Sequence, residues 1–238
     1  MRVLELFSGT HSIGNAASKR GWDVVSVDWD LPAKSTQYDY TSEHHIKTDI
    51  LTWDYKSQFK PGDFDLITAS PTCTWWSQLR LCSLGTILRK GRWGGQVFTR
   101  EMANQDIKDY GEPMVDKCIE IINYFKPKHF WIENPKGGSM KKYMEGYSTP
   151  FVDLDYCKFG FDYRKSTRFW TNIIVKPIEC KYDCDSWTPH ITEKGNRTKR
   201  HISSCDGGNK GRGNGTTKQE RYRIPEGLIN YLLDAIVD

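Results

Sequence analysis

VLELFSGTHSIGNAASKRGWDVVSVD, residues 3–28, is the stretch that decides the fold. Val3–Phe7 reads as a short buried strand, and Ser8–Gly14 as a turn rich in Gly, Ser and Thr. Asn15–Arg20 reads as a helix stopped by Gly21, and Trp22–Val27 as a second strand ending in Asp28. A strand–turn–helix–strand unit of this kind builds a parallel, doubly wound sheet. Ligands of such sheets bind beyond the carboxyl ends of the strands.

The same reading extends outward. Short strands are expected at His45–Ile46, ending at Asp49, and at Phe64–Ala69, ending in Ser70-Pro71. Pro113–Phe125 has helical spacing of Met114, Val115, Cys118, Ile121, Ile122 and Phe125, and Lys126-Pro127 stops it. His129–Ile132 is the next strand and runs into Glu133. Val152–Phe159 and Arg168–Ile174 read as a closing pair of strands, and Glu226–Val237 as a last amphipathic helix after Pro225. Thr74–Gly111 and Lys181–Arg221 fit no regular element. The expectation is an α/β class fold, a doubly wound, mostly parallel sheet forming one domain over 1–238, with a small basic insertion at 175–223.

Composition narrows the setting. The chain has 238 residues, enough to bury one core. Seven cysteines, an odd and scattered set, point to free thiols in a reducing compartment rather than a disulfide framework. No apolar run spans a bilayer, and Met1-Arg2 leads directly into the first strand. A monomer in the cytoplasm or nucleus, neither secreted nor in a membrane, is therefore expected. The formal charge is only +4, but His190–Arg223 holds nine Lys/Arg against three Asp/Glu. Such a segment suits a polyanion, with Lys199, Arg200, Lys210 and Arg212 as candidate nucleic-acid contacts; the alternative is a solvated surface loop.

Several residues carry chemistry. Small residues in the first turn let a cofactor approach the backbone and the helix N-terminus. Asp28, at the end of the second strand, suits the ribose hydroxyls of a nucleoside cofactor, and Asp49 could accept from an adenine amino group. Cys73, in Ser70-Pro71-Thr72-Cys73, lies just past a strand end rather than inside it; Cys82, Cys118 and Cys157 read as small buried hydrophobes. Glu133, in Ile132-Glu133-Asn134-Pro135, ends another strand and faces the same edge.

In this order, Leu4-Glu5-Leu6-Phe7-Ser8-Gly9, Val27-Asp28, Thr48-Asp49-Ile50, Ser70-Pro71-Thr72-Cys73, Ile132-Glu133-Asn134-Pro135 and Tyr163–Phe169 resemble the DNA cytosine-C5 methyltransferase family over about residues 3–175. The resemblance implies a Rossmann-like fold of the S-adenosylmethionine-dependent type. It implies that Phe7, Ser8, Gly9, Thr10, Ile13, Gly14, Asp28, Trp29, Asp49, Ile50 and Pro71 line the S-adenosylmethionine pocket. Cys73 would be the nucleophile, Glu133 the acid that binds the base, and Arg168 a cationic support. Lys165 would stand in for the family's second arginine. The sequence departs from the pattern at Thr72 and Thr74 beside the nucleophile, at His11, and at Arg223-Ile224-Pro225 before the last helix. It also has little room for a target-recognition domain.

By this resemblance the protein would methylate C5 of cytosine in DNA through a covalent Cys73 adduct, on a base flipped out of its duplex or in a single-stranded substrate. The Thr74–Gly111 stretch is the candidate to close over that base. DNA is favoured over RNA as the partner. RNA methylation, action on a free nucleotide and a catalytically inactive nucleic-acid-binding relative are the other readings. Finally, Cys180-x3-Cys184 and His201-x3-Cys205 are a candidate set for a tetrahedral structural zinc, with His190 able to replace His201; the alternative is free thiols in a polar loop.

Overall fold

The opening unit forms as expected. β1 (Arg2–Leu6), α1 (Ser12–Lys19) and β2 (Asp23–Asp28) make a parallel strand–helix–strand unit with Leu4 opposite Val25 and Leu6 opposite Val27. This is a computed structural model, and it describes residues 1–30, 45–205 and 216–237. β3 (His45–Lys47) pairs outside β2. After the single turn of α2 (Tyr55–Gln58), β4 (Leu66–Ala69) pairs with the other side of β1. α3 (Gln78–Leu81), α4 (Arg100–Asp106) and α5 (Glu112–Phe125) lead to β5 (His129–Pro135), parallel to β4. α6 (Met140–Met144) precedes β6 (Phe151–Asp155) and β7 (Ser166–Thr171). β8 (Trp187–Ile191) and β9 (Arg197–His201) form a separate antiparallel hairpin, followed by α7 (Lys218–Tyr222) and α8 (Glu226–Asp234).

The main sheet has seven strands in the order β3-β2-β1-β4-β5-β7-β6. β7 runs against both neighbours, so the sheet is mostly parallel with one reversed strand. Its strands read as continuous apolar runs because both faces are covered. On one face Leu4, Leu6, Ile67 and Ile132 pack with Val115, Cys118, Ile121, Ile122 and Phe125 of α5. On the other, Val3, Leu66, Trp131 and Phe169 pack with Ile13, Ala16 and Ala17 of α1 and Leu228, Ile229, Leu232 and Leu233 of α8. The chain order reverses between β1 and β4, which places the ligand-binding crevice at their carboxyl ends.

Three expectations change. The strand read over Val152–Phe159 ends at Asp155, and a 3-10 turn over Tyr156–Phe159 closes on Gly160 at φ 95°. Thr74–Gly111 is not irregular: it contains α3, α4, a π-helical turn at Ile107–Gly111 and an antiparallel bridge of Ile87 with Val97. The organiser is Asp106, 1% exposed, which pairs with Arg80 and accepts from Trp93 Nε1 at 2.9 Å. Those partners lie 26 and 13 residues away, beyond the reach of any periodicity. Likewise Lys181–Arg221 contains the β8–β9 hairpin and most of α7, whose start is fixed by a reciprocal cap between Thr217 and Glu220.

Candidate active site

The turn after β1 is held from below. Glu5, buried in the middle of β1, accepts from the Ile13 and Gly14 amides at 3.2 and 3.1 Å and from Ser26 Oγ at 2.9 Å. His11 Nδ1 lies 3.3 Å from the same carboxyl group. A side chain at Gly14 would meet Glu5 Oε2 at 2.7 Å, so this position needs glycine for a close approach. The turn itself takes a left-handed backbone at Phe7, Gly9 and His11, with φ of 58°, 48° and 53°. The Ser8 amide donates to Val27 O at 3.2 Å, and the Gly9 amide to Asp28 Oδ2 at 2.9 Å. The Asp30 amide donates to Asp28 Oδ1 at 3.1 Å. A carboxylate offers about four acceptor sites, and among the described residues these two amides are the donors to Asp28.

The other residues expected around a cofactor stand at the same edge. Thr10 is buried and its hydroxyl is 2.9 Å from that of Ser12. Trp29 is 77% exposed and leaves its indole face open. Asp49 closes the turn after β3 by accepting from the Leu51 amide at 3.0 Å, while Ile50 packs into the core. Ser8 Oγ is buried without a hydrogen-bond partner among the described residues. That orphaned hydroxyl, the carboxylate of Asp28 and the open indole fit a polar nucleoside with a flat base.

Across the crevice, Cys73 begins the turn beyond β4, where its carbonyl accepts from the Trp76 and Ser77 amides at 3.1 and 2.9 Å. Asn134, beside Glu133, donates from Nδ2 to Pro71 O at 2.9 Å inside the protein. The Ser139 amide donates to Trp76 O at 2.9 Å, and a side chain at Gly138 would lie 2.9 Å from that same oxygen. The turns after β4 and β5 are thus locked backbone to backbone. Glu133 is 9% exposed, and its Oε2 has no hydrogen-bond partner among the described residues.

Burial pushes the Cys73 thiol above its ordinary value. Lys165 pulls it back down, Glu133 pushes it up, and Arg221 pulls it down again. Lys165 is fixed by donating to Arg221 O at 3.1 Å and by standing 4.7 Å over the Tyr156 ring. Tyr156 is fully buried, and desolvation, then the charge of Glu133, hold its hydroxyl protonated. Arg168 is placed otherwise: it makes a bidentate pair with Asp153 at 2.7 and 2.9 Å and lies over the Phe151 ring. Lys165 and Arg221 are the cations named among the largest influences on Cys73.

Sequence reasoning missed Glu5, Tyr156, Gly138 and Arg221. Only Glu5 left a local signal, a lone acid in the middle of an apolar strand. The candidate metal set also changes. Cys180, Cys184 and His201 come together, but Cys157 joins them where Cys205 was expected, and His190 is not part of the group. Cys157 was read as a buried hydrophobe because the turn that presents it was read as strand. Lys199 and Arg200 stand exposed on β9, whereas Lys210 and Arg212 fall outside the described residues.

The sheet order β3-β2-β1-β4-β5-β7-β6, with one reversed strand, is a doubly wound, Rossmann-like arrangement, and Asp28, Asp49, Cys73 and Glu133 lie near the carboxyl ends of its parallel strands. The C-5 cytosine-specific DNA methylase family model matches residues 1–156, and the chain belongs to that family. It is 36% identical over 240 residues to the "Probable DNA (cytosine-5)-methyltransferase" of Frog virus 3 (isolate Goorha), covering 98% of this chain and 99% of that protein. Among solved structures it is similar to a putative DNA modification methyltransferase encoded within a prophage of E. coli, at 17% identity and a TM-score of 0.45 over 72% of this chain and 46% of that one. S. pombe Dnmt2 methyltransferase matches at 19% identity and a TM-score of 0.41, over 72% and 50% of the two chains. The chain thus spans half or less of the length of these solved proteins.

Proposed function

We propose that this protein transfers a methyl group from S-adenosylmethionine to C5 of cytosine in DNA through a covalent adduct with Cys73. The observation that supports the reading is the lock between two turns: Asn134 Nδ2 donates to Pro71 O, and the charge of the buried Glu133 reaches the Cys73 thiol. C5 of cytosine is a poor nucleophile. A thiolate adding to C6 makes C5 enamine-like, so that C5 can take the methyl group; loss of the C5 proton to a base and expulsion of the thiolate then restore the ring. Lys165 and Arg221 favour the thiolate against the cost of burial. Glu133, with an unpartnered oxygen, suits N3 and the exocyclic amine, where it stabilises the adduct.

The cofactor side is assigned to the turn after β1. Phe7, Ser8, Gly9, Thr10, Ile13 and Gly14 line it, Asp28 takes the ribose hydroxyls, and Trp29, Asp49, Ile50 and Pro71 border the base. When bound, S-adenosylmethionine supplies an electrophilic methyl group on a sulfonium. The protein acts as one catalytic domain, with residues 175–223 as its reading element. In that element Lys199 and Arg200 present charge to phosphates, together with Lys210 and Arg212.

DNA carrying 5-fluorocytosine tests this, because the C5 fluorine cannot leave as a proton does. With S-adenosylmethionine the wild type should form a denaturant-resistant complex, and Cys73→Ser should form none while still binding the cofactor. Wild-type turnover by Cys73→Ser would remove Cys73 from the reaction.

A further inference from the structure

Cys157, Cys180, Cys184 and His201 gather three sulfurs and a ring nitrogen within 4.8 Å of one another. Cys180 Sγ is 3.6 Å from Cys184 Sγ, and both sulfurs are 3.5 Å from His201 Nε2. Zinc bonded at about 2.3 Å to sulfur and about 2.0–2.1 Å to nitrogen demands tetrahedral edges of about 3.8 Å between sulfurs and about 3.6 Å between sulfur and nitrogen. A disulfide would need about 2.05 Å. The spacing is therefore that of ligands around one ion. We propose that these four residues bind a structural zinc ion that staples the β8–β9 hairpin to the corner of the catalytic sheet.

The hairpin needs such a staple. β9 is exposed at every residue but His201, and β8 has no buried residue. The apolar cluster beneath it consists of Cys157, Cys180 and Cys184 with a half-buried Trp187. An isolated two-stranded hairpin is marginal at best in water. The surroundings also fit a metal-bound sulfur. Tyr182, held at φ 59°, turns its amide onto Cys180 Sγ at 3.3 Å, and its ring stacks on that of His201 at 5.3 Å. Amides directed onto ligating sulfurs are how an outer shell orients a metal site. Three sulfurs and one imidazole make a closed, soft set with no place for a water, as structural rather than catalytic zinc requires.

The anchor is what gives the site its consequence. Cys157 belongs to the 3-10 turn that also presents Tyr156 to the Cys73 pocket. Cys180 is fixed to the same corner by donating its amide to Asp155 Oδ2 at 2.6 Å. One ion would thus join the catalytic corner to a strand carrying Arg197, Lys199 and Arg200. All four ligands lie beyond the residues matched by the family model. The proposal does not depend on the methyl-transfer reading.

Elemental analysis of the full chain, purified reduced and without added metal, tests it. About one zinc per chain is expected for the wild type. Cys157→Ala, Cys184→Ala and His201→Ala should lose it, and Cys205→Ala and Cys82→Ala should keep it. Cys157→Ala is the discriminating variant, because nothing in the local sequence places Cys157 with the others. If it fails to fold, cobalt exchanged into the wild type should give the visible and near-ultraviolet bands of a tetrahedral, thiolate-rich site. Metal-free wild type, iron in place of zinc, a Cys180–Cys184 disulfide, or loss of metal on Cys205→Ala with retention on Cys157→Ala would each overturn the assignment.

Discussion

The turn after β1 and the β8–β9 hairpin both present function-bearing residues, yet they are held in opposite ways. The turn rests on a sheet buried on both faces, and a buried acid gathers its amides. The hairpin rests on three cysteines, a histidine and one indole. Precise cofactor geometry needs a support that cannot relax, and only a core supplies it. A surface that meets phosphates tolerates looser support, because charge acts over about 8–10 Å at ordinary salt.

The contrast is easiest to break at Glu5. Glu5→Ala strips the acceptor from the Ile13 amide, the Gly14 amide and Ser26 Oγ. At roughly 1 kcal/mol or more for each stranded buried donor, denaturant titration should record a loss of about 3 kcal/mol or more. A loss below about 1 kcal/mol would mean that the turn is not held from below.

Asp28→Ala sharpens it. S-adenosylmethionine binding, measured by calorimetry, should weaken by about 1–3 kcal/mol. Part of that loss belongs to the Gly9 amide, which also rests on Asp28. Unchanged affinity would take Asp28 out of the cofactor site.

On the hairpin the expected effect is smaller and falls on a different quantity. Neutralising Lys199 and Arg200 should weaken DNA binding alike on all sequences. The slope of log affinity against log salt should flatten by about 0.9 for each lost phosphate contact. An unchanged slope would make β9 a passive surface and shift attention to the Arg80–Arg92 region.

Acid should separate the two regions least. Burial, then the charge of His11, lowers His45, and burial lowers His129. A histidine lowered in the folded state takes its proton more readily when unfolded. Stability is therefore full above the ordinary value of about 6.5 and falls as pH drops below it. A flat denaturation midpoint from pH 7 to pH 5 would contradict this.

The sheet was legible in the sequence because its strands are buried on both faces and read as apolar runs. Cys73, Glu133 and Asp28 stood out because each interrupts such a run at its carboxyl end. What stayed hidden depends on contacts between distant segments. Arg221 meets Lys165 across 56 residues, and Asp106 organises its loop through Arg80 and Trp93. Cys157 could not be grouped with Cys180 because no spacing rule spans a sheet edge. The bidentate pairing of Arg168 with Asp153, 15 residues away on the neighbouring strand, was likewise not readable from the sequence.

The reversed direction of β7 has a consequence for how the chain could change length. Because β7 descends, Thr171 leaves it at the edge far from the crevice, and the chain must climb back. It does so beside β6, where Ile178 lies parallel to Leu154 and delivers Cys180 to the top. The excursion returns at Arg221, whose carbonyl receives Lys165 on the same corner. Departure and return thus both meet the corner where β6 ends and β7 begins, Cys180 at Asp155 and Arg221 at Lys165. Segments of different length or sequence could be exchanged there at a closure cost growing only with the logarithm of their length. The catalytic strands would keep their register.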